Sequence, residues 1–280
     1  MTAVTPAVPA PAVGQASRRV GFSHLMATEW TKIRSVRSTV WTLIIFAVVS
    51  LGLTGLITWL TIRSLNSGQA GRNSGGIAGD PVNFILSTGL GLGQLAICVL
   101  GVLVITSEYS SGTIRASLLA VPRRIPMLIA KGVVFSVLVF VIGEVVVFGS
   151  FYIGAAIVNS HFPVSLSQPG VTRAVIGSGL YLTVLGLFAL AIGSLIRHTA
   201  GAITTVIGLV LVIFPLTALL PYSWGKHIHA YMPTIAGQLI TQDKTQADQL
   251  LSPWQGFGVF CAWTALLLIV GAYLLKRRDA

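Results

Sequence analysis

Charged residues are scarce in this sequence. Only 9% of its 280 residues are Asp, Glu, Lys or Arg, whereas soluble globular domains carry roughly 25%. This deficit, together with 54% apolar residues, argues against an ordinary soluble domain and predicts an all-α polytopic membrane protein. Acids are the scarcest, with seven against 18 bases and a net charge of +11. Because the bases are scattered between apolar runs, they favour orientation in a bilayer over binding to nucleic acid.

Cysteines and catalytic signatures are also sparse. The two cysteines, Cys98 and Cys261, lie inside apolar runs and imply no disulfide framework. The sequence has no G-x-x-x-x-G-K-[ST] run, so no ATPase site is expected in this chain. His227 and His229 have no Cys, Asp or Glu nearby in sequence to complete a metal site, so they favour a solvated or interfacial loop. No nucleophile elbow or zinc-protease motif occurs, and we expect neither catalysis nor a bound metal.

Long apolar runs are what the sequence does have, and six of them reach the roughly 20 residues that a membrane-spanning helix needs. The predicted spans are 38–62, 83–106, 128–157, 172–196, 199–220 and 255–275. Only Arg197, His198 and Thr199 separate the fourth from the fifth, which predicts a tight hairpin. Residues 1–22 predict a disordered tail without a signal-peptide core, and 23–280 predict one membrane domain.

The bases predict an orientation. An even number of spans puts both termini on one side, and 13 of the 18 Lys and Arg residues fall on that side. This bias predicts cytoplasmic termini and places the segment 107–131 in the cytoplasm. The longest outer loop, 221–254, is rich in aromatics and predicts short helices at the membrane interface. Its aromatics and the apolar interior favour an amphiphilic or hydrophobic cargo.

A short amphipathic helix is predicted before the first span, over 24–37. The apolar stripe at helical spacing consists of Met26, Trp30, Ile33 and Val36 or Arg37. The polar residues Glu29, Lys32 and Arg34 lie away from that stripe. A basic amphipathic helix of this kind is expected to lie in the membrane interface.

The segment 107–131 contains several charged residues and lies between two apolar runs. Glu108 is expected near the N-terminus of a short helix, where the helix dipole favours a carboxylate. That helix would present an apolar face, and prolines on either side of Arg123 and Arg124 would end it. The residues alone leave two interpretations open. The segment is either a plain basic loop or a packed short helix that another protein binds.

The motifs of this segment resemble a known family. Glu108-Tyr109-x-x-Gly112-Thr113-Ile114, then Leu118-Leu119, Pro122-x-Arg124 and Lys131, look like the cytoplasmic loop of ABC type 2 permeases, the membrane subunits of bacterial ABC exporters. The stretch 29–39 resembles the opening of actinobacterial members, and the ending around 253–256 and 277–280 is similar to theirs.

The resemblance implies a dimer of permeases in the cytoplasmic membrane, docked on two cytoplasmic ATPase subunits that bind ATP and Mg. It implies that the short helix is a coupling element formed by Glu108, Tyr109, Gly112, Thr113, Ile114, Arg115, Leu118, Arg123 and Arg124. It also implies that the N-terminal helix is a connecting helix that uses Glu29, Trp30, Lys32 and Arg34.

Three polar or helix-distorting residues within the spans are candidates for a substrate pathway. Glu144 is the only acid inside a predicted span, and a charge there must face the bundle interior or water. In the family resembled, the second and fifth spans line the pathway at the dimer centre, which makes Gln94 and Pro215 candidates. Two other functions stay open: a proton-coupled carrier that uses Glu144, and a membrane anchor that recruits a cytoplasmic partner without transport.

Overall fold

The computed structural model describes residues 21–68, 74–110, 124–246 and 249–277. These residues form helices joined by short turns and loops, with no strand among them. Six helices are long and apolar enough to cross a membrane, which confirms the predicted all-α, six-span class. They are α2 (Arg37–Asn66), α4 (Pro81–Ser110), α5 (Arg124–Val158), α6 (Val171–Ile196), α7 (199–219) and α10 (Pro253–Arg277).

Within the described ranges, four shorter helices lie outside these spans: α1 (Phe22–Ser35), α3 (Ser74–Gly79), α8 (Tyr222–Ala230) and α9 (Pro233–Gln238). Since α1 leads directly into α2, we call that end of the bundle the α1 end. The other end, which carries α3, α8 and α9, is called the opposite end. The predicted short helices of the loop 221–254 are present there as α8, α9 and a 3₁₀ turn over Leu239–Thr241.

The predicted hairpin between the fourth and fifth spans is also present. Helix α6 ends at Ile196, and Arg197 takes a left-handed conformation with φ of 61° while its N–H donates to the Gly193 carbonyl. His198 then caps α7, because its Nδ1 accepts from the Gly201 N–H at 3.1 Å. A left-handed cap followed by a side-chain N-cap turns the chain within three residues.

Helix α7 is irregular along its length. A π-helical turn over Leu209–Ile213 interrupts it, and it ends in a 3₁₀ turn over Thr217–Leu219. Pro215 lies two residues after the end of the π turn. Because proline offers no N–H to the preceding turn, the ladder of backbone hydrogen bonds must change there.

Two spans form the centre of the bundle. The apolar windows of α4 and α6 are 61% and 78% buried within the protein, whereas those of the other four spans are 17–33% buried. Helices α4 and α6 pack closely at Gly101. A Cβ at this position would lie 2.3 Å from the Gly186 carbonyl oxygen, so only glycine fits there. The four outer spans expose large apolar side chains, as helices in contact with lipid do.

Candidate functional site

Two glutamates and two lysines form a closed set of ion pairs at the α1 end. Lys32 Nζ lies 2.9 Å from Glu29 Oε1 and 3.2 Å from Glu108 Oε1. Lys131 Nζ lies 2.8 Å from Glu108 Oε1 and also bonds to Glu29 Oε2. Each lysine therefore bridges both carboxylates, and the four charges cancel. We call these four residues the ionic cluster.

The ionic cluster is largely withdrawn from solvent. The side chains of Lys131, Glu29 and Glu108 are 2%, 3% and 9% exposed, and only Lys32 reaches the surface, at 36%. Burial opposes ionisation of Glu29, but the charges and hydrogen bonds of Lys131 and Lys32 outweigh it and lower the pKa of Glu29. Burial likewise opposes the charge on Lys32, yet Glu29 and Glu108 raise the pKa of Lys32. The neighbouring opposite charges therefore favour the ionised forms of Glu29 and Lys32.

The ionic cluster joins three elements that are far apart in sequence. Glu29 and Lys32 lie on α1, Glu108 lies in the last turn of α4, and Lys131 lies near the start of α5. The last two residues flank the segment 111–123, which connects α4 to α5. The residues on either side of that segment therefore both pair with α1.

The position of Glu108 differs from the prediction. Instead of opening a short helix, Glu108 belongs to α4, which continues to Ser110. The C-terminal end of a helix dipole disfavours a carboxylate. The two lysines offset that unfavourable position, and periodicity alone cannot reveal them because they come from other helices.

The buried face of α1 also differs from the predicted stripe. Leu25, Glu29 and Ile33 are its buried residues, whereas Trp30 is 45% exposed. Glu29 therefore faces the protein, while Trp30 lies on the exposed face of α1. The cause is the ionic cluster, which holds an acid inward. Of the remaining predicted residues of this helix, Met26 packs against the core, Lys32 is half-buried and Arg34 is exposed.

A second contact connects the end of α4 to the α6–α7 hairpin. The guanidinium carbon of Arg197 lies 5.2 Å from the ring centroid of Tyr109, in cation–π geometry. The end of α4 thus contacts α1 and α5 through Glu108 and the hairpin through Tyr109.

A cavity of about 370 Å³ adjoins the ionic cluster. Its walls come from α1, the start of α2 and the last turns of α4. Polar groups of Ser35, Ser38 and Thr39 share it with apolar side chains such as Leu103 and Val104. The ionic cluster therefore has free space beside its charges.

Much of the predicted coupling element lies outside the described residues. This holds for Gly112, Thr113, Ile114, Arg115, Leu118 and Arg123. Arg124 is the first residue of α5. The predicted coupling role of this segment is taken up under the proposed function.

The pathway candidates lie in three different places. Gln94 is buried between α4 and α6, where its Oε1 accepts from the Tyr181 hydroxyl at 2.7 Å. Glu144 lies against Gly179 of α6, and both of its carboxylate oxygens are buried without a partner among the described residues. Pro215 is exposed on the surface of α7. The structure therefore does not gather them into one site.

The two histidines of the opposite end bond to neighbouring polar groups. His227 Nδ1 lies 2.8 Å from the Ser223 carbonyl oxygen, and His229 Nδ1 lies 2.8 Å from Thr217 Oγ1. Over the described ranges, no three residues of the metal-ligating types come together.

Sequence reasoning missed Lys131 as the centre of the ionic cluster. A signal was available, because Lys131 falls inside the predicted third span, where a charge requires a partner. It also missed Tyr181, which is fully buried and bonds to Gln94. A tyrosine within an apolar run carries no comparable signal, since its ring packs as an ordinary core residue.

Comparison with known proteins gives one match. The model of a family described as ABC-2 family transporter protein matches residues 24–280. No curated protein matches the chain significantly. The match covers all six spans, α1 from His24 onward and every member of the ionic cluster. The chain therefore belongs to the ABC-2 family of transporter proteins, as a multi-pass membrane component.

Proposed function

We propose that this chain is the permease subunit of an ABC exporter in the bacterial cytoplasmic membrane, with both termini in the cytoplasm. It works as a dimer with separate ATPase subunits, which bind ATP and Mg²⁺. Membership of the ABC-2 family supports the permease role. The bias of the bases toward the side of the termini supports the orientation.

The observation that carries the proposal is the ionic cluster. Its residues Glu108 and Lys131 flank the segment 111–123, and both pair with Glu29 and Lys32 of α1. An ATPase that moves this segment would therefore pull on α1, α4 and α5 together. Buried ion pairs suit the transmission of movement between helices. Separating their charges costs free energy, so the paired helices are expected to move together.

The partner is tested by purifying the full-length tagged chain from its own membranes and identifying co-purified proteins by mass spectrometry. We expect an ATPase subunit that carries a phosphate-binding loop. Reversing the charges of Arg123 and Arg124 should remove it. The matched control is reversal of Arg63 and Lys226 at the opposite end, which should retain it. Retention of the ATPase by the Arg123 and Arg124 variant would count against docking at this segment.

Coupling is tested in the same complex. Glu108→Gln should leave ATP hydrolysis running but remove the ATP-dependent change in hydrogen exchange along α1. The control Glu144→Gln changes the same residue type in a span and should preserve that change. An unaltered ATP response in the Glu108 variant would contradict the coupling role.

A proton-coupled carrier is the second candidate. It is favoured by Glu144, whose carboxylate is buried against α6 without a cation among the described residues. Vesicles loaded with the substrate distinguish the two: an ABC exporter stops without ATP, whereas a carrier stops when an ionophore collapses the proton gradient. Transport that survives Glu144→Gln would rule out the carrier.

A further inference from the structure

A polar cavity of about 310 Å³ lies at the opposite end of the bundle, between α4, α6 and the short helix α9. Its wall is lined mainly by uncharged polar side chains. They are Asn83, Ser87, Gln94, Tyr181, Gln238, Thr241 and Gln242. Among the described residues, no Lys, Arg, Asp or Glu lines it. We call it the amide cavity.

A hydrogen-bond chain forms one wall of the amide cavity. The Tyr181 hydroxyl donates to Gln94 Oε1 at 2.7 Å and accepts from Gln238 Nε2 at 3.3 Å. Tyr181 is fully buried, with its ring 5.7 Å from that of Phe260. The side-chain amide of Asn83 makes no hydrogen bond within the described part of the chain. The cavity therefore presents both donors and acceptors.

The remaining wall is held in place by close packing. A Cβ on Gly177 would lie 2.5 Å from the Ile240 carbonyl oxygen, and one on Gly237 would lie 2.3 Å from the Phe260 ring. Arg173 Nη2 donates to the carbonyls of Gln242 and Asp243, at 2.9 Å each. These contacts keep the wall fixed around the space, as a preformed binding site requires.

We infer that the amide cavity binds an uncharged group of the transported molecule that both donates and accepts hydrogen bonds, such as a hydroxyl- or amide-bearing head group. A charged group would find no counter-charge on the wall and would lose its hydration. An apolar group would leave the side-chain amide of Asn83 without a hydrogen-bond partner. This inference rests on the proposed transport function and specifies the substrate class for it.

The test uses the purified full chain in lipid nanodiscs and saturation-transfer NMR, which detects weak binding. The neutral probes are N-acetylglucosamine and N-acetylglycinamide. Glucosamine and glucuronate, which carry a positive and a negative charge on a similar ring, serve as charged counterparts. We expect at least one neutral probe to bind and both charged sugars to bind at least tenfold more weakly. Failure of both neutral probes, or equal binding of the charged sugars, would overturn the inference.

Matched glycine variants locate the binding. A Cβ at Gly91, which lines the cavity, or at Gly258 on α10 meets no atom within 4 Å. Both positions should therefore accept a larger side chain without unfolding. Gly91→Leu should reduce probe binding at least tenfold, whereas Gly258→Leu should not. Equal binding in both variants would place the probe elsewhere and overturn the assignment.

Tyr181→Phe provides a second reading that keeps the ring and removes the hydroxyl. It should weaken probe binding about three- to tenfold, the range for one hydrogen bond. The control Gln168→Ala alters an exposed outer-loop amide and should bind normally. These assays need no ATPase. A negative result with intact ATP coupling would therefore overturn the amide cavity alone, whereas loss of coupling with intact probe binding would overturn only the proposed function.

Discussion

The two ends of this protein use polar residues in opposite ways. At the α1 end, the ionic cluster pairs every charge with two opposite charges. At the other end, the amide cavity is lined by neutral side chains around about 310 Å³ of space. Charges that are buried must be paired, so they bind elements together. Neutral polar side chains need no counter-charge. They can therefore line a cavity that a ligand enters and leaves.

The largest effect is expected from breaking the ionic cluster. Lys131→Met leaves Glu29 and Glu108 buried with only the half-exposed Lys32, and removal of one partner from a buried pair costs about 3–5 kcal/mol. We expect a large drop in the thermal unfolding midpoint of the full chain in nanodiscs. The control Lys226→Met removes an exposed lysine at the opposite end and should leave the midpoint unchanged.

A double variant sharpens this result. Lys131→Met with Glu29→Gln removes one charge of each sign and leaves Glu108 paired with Lys32. It should be less destabilised than the sum of the single changes, because the members of a cluster are not independent. Additive effects would mean that the four residues do not act as one unit.

The next effect concerns α4, the helix that connects the two regions. Gly101→Ala would place a Cβ 2.3 Å from the backbone of α6, so the two central spans must separate. Overpacking of this kind costs about 1–3 kcal/mol. Gly91→Ala is the matched control in the same helix, because its Cβ would meet nothing within 4 Å.

The measurement is again the unfolding midpoint, with the ATP-dependent exchange of α1 as a second readout. Gly91→Ala should be neutral or slightly stabilising, since alanine favours a helix by at most about 1 kcal/mol over glycine. If both substitutions lower the unfolding midpoint equally, the loss of stability does not come from close packing between α4 and α6 at Gly101.

The sequence was sufficient for the spans and insufficient for the contacts between them. Apolar length predicted six helices, and even the hairpin at Arg197 followed from it. The ionic cluster could not be predicted, because Lys131 pairs with residues 23 and 102 positions earlier. The same pairing holds Glu29 on the buried face of α1, which helical spacing alone did not predict. The Gln94–Tyr181 bond, across 87 residues, is equally invisible to local patterns.

The smallest expected effect is a difference in pH dependence between the two ends. At the α1 end, the lowered pKa of Glu29 contributes stability above the ordinary glutamate range that is lost as pH falls through the lowered value. At the opposite end, burial and the neighbouring Asp80 raise the pKa of Asp243. That group contributes stability below the ordinary aspartate range, and it is lost as pH rises through the raised value.

Acid should therefore weaken one end while it strengthens the other. Unfolding midpoints measured in nanodiscs from pH 3.5 to 8 separate the two. Glu29→Gln should remove part of the loss of stability on acidification, and Asp243→Asn should remove part of the loss on going toward neutral pH. The unaltered protein should therefore lose stability on both sides of its optimum, and each variant should flatten one side of the profile while leaving the other side unchanged. A Glu29→Gln profile that still falls as steeply on acidification, or an Asp243→Asn profile that still falls as steeply toward neutral pH, would contradict the opposed signs and, with them, the electrostatic contrast between the two ends.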